Sequence, residues 1–198
     1  MRAALACACT AVSLGMVGQA SANPIKPGGG APVDKLTIDV RATIASRCGF
    51  AEAPRSPPHA FDLNAAQHVE IPFTLDCNTP FTIGVKSDHG GLTSDRAPDG
   101  SGFAFSKPYQ VALEVGTDAS ALTPDPCGSE ELVDAGKLRS LCAFYGDRPG
   151  QGLSSGKSIS TFEPSHLVLS WPGVQDGTAR NVAGRYHDTI TITVSARA

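Results

Sequence analysis

The stretch GRYHDTITITVSARA, residues 184–198, carries the most regular alternation of apolar and polar side chains in the chain. Tyr186, Ile190, Ile192 and Val194 fall on one side of an extended backbone, interrupted only by Asp188, while Thr189, Thr191, Thr193 and Ser195 fall on the other. Successive side chains of a strand point to opposite faces, so this period of two predicts a strand with one buried face. The sequence runs out at Ala198, a residue or two beyond the pattern. Read as the last strand of a sheet, it has no later segment to pair with its outer edge, and a long unpaired edge invites association. We therefore expect another molecule to supply a strand there.

Similar patterns recur towards the N-terminus. SHLVLSW (165–171), YQVALEV (109–115), PFTIGVKS (80–87) and VEIPFTLDC (69–77) each predict a short strand. The last two meet around Cys77, Asn78, Thr79 and Pro80, a turn signal that predicts an antiparallel hairpin. In KLTIDVRATIASRC (35–48), Leu36, Ile38, Val40, Ala42 and Ile44 alternate with Lys35, Thr37, Asp39, Arg41 and Thr43, which predicts a half-buried strand running up to Cys48. Prolines and glycines break residues 116–156, where ELVDAGKLRSLCAFY (131–145) predicts one helical turn or a short strand. About seven short strands, no amphipathic helix and no internal repeat define an all-β antiparallel sandwich.

The first 22 residues read as a signal peptide: Arg2 is the positive start, residues 3–17 are apolar, and Ala20-Ser21-Ala22 is an A-x-A cleavage site. The apolar run is shorter than the roughly 20 residues of a spanning helix. The expected mature chain begins at Asn23 with a flexible arm rich in proline and glycine (23–34), followed by one domain over 35–198. It is expected to be exported, not membrane-spanning, and to reach the periplasm and then the cell surface or medium. A formal net charge of -3 offers no basic stripe for nucleic acid.

Of six cysteines, Cys7 and Cys9 leave with the signal and Cys48, Cys77, Cys127 and Cys142 remain. An even number in an exported chain predicts disulfides. Four cysteines allow three connectivities, of which we favour the sequential one because each pair flanks or links expected strands. A four-thiolate zinc site would want close C-x-x-C pairs, and there are none.

Two motifs imitate catalysis. Gly152-Leu153-Ser154-Ser155-Gly156 matches G-x-S-x-G, with His89-Gly90-Gly91 upstream and Asp176 and His187 downstream in hydrolase order. That elbow needs a strand before the serine and a helix after it, whereas DRPGQ precedes and the β-prone KSISTF follows. The S-x-x-K match at Ser154 to Lys157 has Gly156 inside it, where a helix is required. His59, His68, His89, His166 and His187 show no paired metal-ligand spacing and read as surface or loop residues. Asp188 reads as a hydrogen-bond acceptor at the start of its strand, and Trp171 as a core residue at a strand end. We expect no enzymatic activity and no cofactor.

An alternating segment ending at Cys48, a strand ending at Cys77, and a terminal glycine, Tyr-x-Asp and threonine-rich strand (Gly184, Tyr186, Asp188 onwards) together resemble the spore coat protein U domain family. That family is related to the subunits of archaic chaperone-usher pili. The resemblance covers about residues 36–86 and 165–198. It implies an immunoglobulin-like, pilin-like sandwich lacking its last strand, with a groove lined by Gly184, Tyr186, Ile190, Ile192 and Val194. A periplasmic pilus chaperone, an outer-membrane usher and neighbouring like subunits would be its partners, in a fibre or coat serving adhesion or biofilm. Leu36, Ile38 and Val40 are the candidate donor strand. The residue before the last is Arg197, where better-known pilins often have an aromatic, and NPIKPGGGAPVD (23–34) offers few alternating apolar residues to donate. The alternative is a self-complete secreted β-sandwich that binds a ligand as a monomer, with KLTIDV covering its own edge.

Overall fold

The computed structural model describes residues 37–55, 61–100, 102–133, 141–175 and 177–197. The signal peptide, residues 23–34, Leu36, His59 and Asp176 lie outside them. The chain divides into two units, residues 1–42 and 43–198. In the first, residues 37–42 carry no regular structure and are exposed.

Among its described residues the second unit is all-β apart from one short 3-10 helix, Ser129–Leu132. Its strands are β1 (Phe50–Glu52), β2 (Gln67–Cys77), β3 (Phe81–Ser87), β4 (Leu92–Ser94), β5 (Ser106–Lys107), β6 (Gln110–Glu114), β7 (Cys127–Gly128), β8 (Leu153–Ser154), β9 (Ser160–Trp171), β10 (Tyr186–His187) and β11 (Ile190–Ala196). They form a five-stranded sheet in the order β1-β2-β9-β6-β7 and a three-stranded sheet in the order β11-β3-β8. A smaller sheet runs β10-β4-β5. Every pairing between named strands is antiparallel.

The two main sheets pack together through the faces their alternation selects. Phe73 and Leu75 of β2, Val111 and Leu113 of β6 and Leu167 of β9 are buried against Phe81, Ile83 and Val85 of β3. Ile190, Ile192 and Val194 of β11 join that core half-buried. Residues 81–85 are buried without a break because β3 is covered on both faces. On one face Gly84 lies against Gly146, and residues 144–146 also pair along an edge of β3, where the Val85 N–H donates to the Phe144 carbonyl at 2.8 Å. Gly152 sits at φ 93° against β3, where any Cβ would collide with the Ile83 carbonyl. That close approach explains the first glycine of the G-x-S-x-G motif.

Three expectations are corrected. Residues 37–48 form no strand, and Ile38, Val40 and Ile44 expose 72%, 87% and 84% of their surface. The short β1 begins only after Cys48. Second, β2 and β3 are not a hairpin: they lie in different sheets. β2 pairs along nearly its whole length with β9, from Gln67 opposite Trp171 to Cys77 opposite Ser160. Asn78 turns its side chain to the preceding segment, accepting from the Arg47 N–H at 2.8 Å and donating to the Ala45 carbonyl at 2.9 Å. Third, the terminal strand is split into β10 and β11 because Asp188 folds inwards to collect hydrogen bonds. Of residues 131–145, positions 134–140 lie outside the described residues, and Glu131 and Leu132 form the end of the 3-10 helix.

Two disulfides form, Cys48 to Cys77 and Cys127 to Cys142. The first fastens residue 48 to the end of β2, beside an Arg47–Asp76 ion pair at 2.8 Å. Loop-closure entropy over its 29-residue separation corresponds to about 3.5 kcal/mol. Replacing Cys48 and Cys77 together by alanine is expected to lower the urea-unfolding free energy by about that amount. An unchanged midpoint would show that the bridge does not constrain the unfolded chain.

Candidate strand-binding groove

Two strand edges face an opening between the sheets. β11 ends its sheet: β3 pairs with it from Ile190 opposite Ser87 to Ala196 opposite Phe81, and among the described residues no strand pairs with its other edge. Across the opening, β1 pairs with Leu75 and Thr74 of β2, and among the described residues no strand pairs with the earlier part of that edge of β2. Between them lies a groove of about 490 Å3. Val69 and Ile71 of β2 and Leu167 and Leu169 of β9 line one side, and Ile190 and Ile192 of β11 line the other. Phe50, Trp171 and Tyr186 also line it.

Tyr186, Ile190 and Ile192 line this opening, and Gly184 and Val194 are not among its lining residues. Gly184 is exposed beside Arg96, and Val194 packs into the core. Of the candidate donor residues, Ile38 and Val40 are exposed and unpaired into any strand, and Leu36 is outside the described residues. Trp171 is 4% exposed, a core residue at the groove wall, with its ring edge-on to Phe61 at 5.9 Å.

Physically, such a groove takes an extended segment. Apolar walls accept alternate side chains, and unpaired N–H and C=O groups on the flanking edges accept its backbone. Four strand steps separate Leu167 from Trp171, about 13 Å at the usual rise.

The start of the β11 wall is held by Asp188. Its carboxylate accepts from Tyr109 Oη at 2.6 Å, Ser87 Oγ at 2.7 Å and the N–H groups of Thr189, His89 and Gly91 at 2.7, 3.1 and 3.2 Å. Burial by itself would raise its pKa, but these hydrogen bonds outweigh that and hold it below the usual carboxylate range. Burial first, and then the bond to Asp188, push the Tyr109 phenol up, so it stays a donor. Tyr186 bridges the other way, its Oη donating to the Val182 carbonyl at 2.8 Å and the Ala104 carbonyl at 3.1 Å. Sequence reading missed the breadth of this network, because Ser87 and Tyr109 are about 100 and 80 residues away from Asp188. The only local signal was an acid breaking an apolar row.

Ser154, the serine of the hydrolase-like motif, lies in β8 opposite Thr82 and contacts the Arg197 guanidinium. It is followed by a turn at residues 156–157. His187 Nδ1 contacts Asp95 at 2.9 Å.

Among the described residues no helix is long and apolar enough to cross a membrane. The two disulfides are compatible with export. No protein-family model matches this chain, and no curated protein matches it.

Proposed function

We propose that this protein is an exported structural subunit of a surface fibre or coat, assembled by strand complementation through the chaperone-usher route and contributing to adhesion or biofilm. Its fold on this reading is an immunoglobulin-like sandwich short of one strand. A periplasmic chaperone fills the groove first and a neighbouring subunit fills it in the fibre, with an outer-membrane usher guiding the exchange. The observation that carries the reading is the pair of edges, β11 and the first half of β2, that have no strand partner among the described residues and flank a groove lined mostly by apolar side chains, in a chain whose residues 37–44 are exposed. Leu36 to Val40 spans the same four steps as Leu167 to Trp171, so three apolar side chains of a donor match the length of the groove wall. Support for the immunoglobulin-like element comes from Tyr186, whose hydroxyl returns to the backbone four residues upstream, as in a tyrosine corner.

The test compares the mature chain with a variant lacking residues 35–44. The mature chain is expected to form ladders that survive detergent on gels. The shortened chain is expected to remain monomeric and to bind a synthetic KLTIDVRATI peptide. A mature chain that stays monomeric on gel filtration without a chaperone, together with a peptide that does not bind, would replace this reading with a self-complete monomeric binding module.

A further inference from the structure

His89, in the turn after β3, and His187, in β10, stand with ring centroids 5.3 Å apart and planes at 84°. Each ring is oriented through Nδ1 by a carboxylate: His187 contacts Asp95 Oδ1 at 2.9 Å and His89 contacts Asp188 Oδ1 at 3.4 Å. An Nδ1–H facing a carboxylate leaves the lone pair on Nε2, and this carboxylate–imidazole arrangement is the one that usually stands behind a metal-binding histidine. Both side chains remain partly open to solvent, 42% for His89 and 57% for His187.

The ring separation is compatible with one shared ion. Two imidazoles bound through Nε2 at about 2.0–2.1 Å hold their centroids about 3.2 Å from the ion, and at a tetrahedral angle those centroids stand about 5.2 Å apart. That matches the observed 5.3 Å.

We propose that His89 and His187 bind one divalent transition-metal ion, Cu2+ or Zn2+, with Asp188 and Asp95 as the carboxylates behind the two rings. Among the described residues no three His, Cys, Asp or Glu side chains gather as ligands, so water fills the remaining positions. The site is therefore an open, exchangeable one rather than a closed structural centre. Imidazole ligands suit both ions, and the general affinity order places Cu2+ above Zn2+. Two carboxylates behind the rings offset the charge of the ion. Bound metal would fasten β10 to the turn after β3, since the two ligands come from those separate segments. The inference does not depend on the groove being a strand acceptor.

Calorimetric titration of the mature protein with CuCl2 and, separately, ZnCl2 tests it. Wild type is expected to take up one equivalent, Cu2+ more tightly than Zn2+. His89→Asn and His187→Asn should each weaken binding by at least about tenfold, Asp95→Asn by about ten- to a hundredfold, and His68→Asn not at all. Paramagnetic resonance of the Cu2+ form of the wild type provides a readout independent of variant folding and is expected to report nitrogen coordination. Absence of saturable binding in wild type, equal affinity in a folded His187→Asn, or a Cu2+ spectrum without nitrogen ligands would each leave the two rings as a simple edge-to-face contact.

Discussion

Replacing Ile192 with lysine is expected to abolish strand capture while leaving the sheets folded. Ile192 is half-buried, with one side against the core and the other on the groove. In the free protein a lysine there keeps its ammonium in the groove mouth, and the loss is that of partial apolar burial, about 1–2 kcal/mol. Once a donor strand closes the groove, the same charge would be cut off from water without a partner, at a cost of several kcal/mol. A penalty of about 4 kcal/mol corresponds to a roughly thousandfold loss in affinity for the KLTIDVRATI peptide. Ile192→Val, which keeps the wall apolar, should retain binding within about tenfold. If the lysine variant bound the peptide as wild type does, Ile192 would not face the occupant.

Asp188→Ala is expected to be the most destabilising single change on the β10–β11 side, by about 4 kcal/mol in urea unfolding. The side chain is 2% exposed and gathers donors from β3, the turn after it, the residue before β6 and its own backbone. Alanine strands the part-buried donors, Tyr109 Oη, Ser87 Oγ and the Gly91 N–H, while the exposed Thr189 and His89 N–H groups turn to water; each buried unsatisfied group costs about 1–3 kcal/mol before relaxation or water entry. Asp188→Asn keeps one acceptor oxygen and should lose less. A change below about 1 kcal/mol for the alanine variant would mean that water replaces the carboxylate freely. The prediction bears on the groove as well, because Asp188 anchors the strand that forms one of its walls.

The strands that carry the core were legible because their alternation is local: Phe73 and Leu75, Val111 and Leu113, Leu167 and Leu169, Ile190 and Ile192 all repeat at two. What periodicity does not contain is the identity of the partner. Residues 36–44 have a strand pattern, but residues 37–44 have no strand partner within the described residues and are exposed, so alternation alone predicts a sheet member where the structure has none. The turn at Asn78 to Pro80 was similarly ambiguous, since the same local chemistry serves a hairpin or a crossing between sheets. The long match between β2 and β9 decided between them, and no local signal announces a pairing of Gln67 with Trp171. For the groove, the β11 wall was readable from Ile190 and Ile192. The facing wall of Val69, Ile71, Leu167 and Leu169 was not, because it exists only after distant segments are set side by side.

The Cys48–Cys77 bridge also determines how a tensile load would travel. In a fibre whose subunits are linked through their N-terminal segments, pulling force enters near residue 48 and crosses the disulfide directly to the end of β2. The short β1 is bypassed, so the load falls on the long ladder between β2 and β9. Resistance to mechanical rupture then depends on how slowly that ladder comes apart. Reducing the bridge would shift the first yielding point to β1, lengthening the tether before the body of the protein bears any strain.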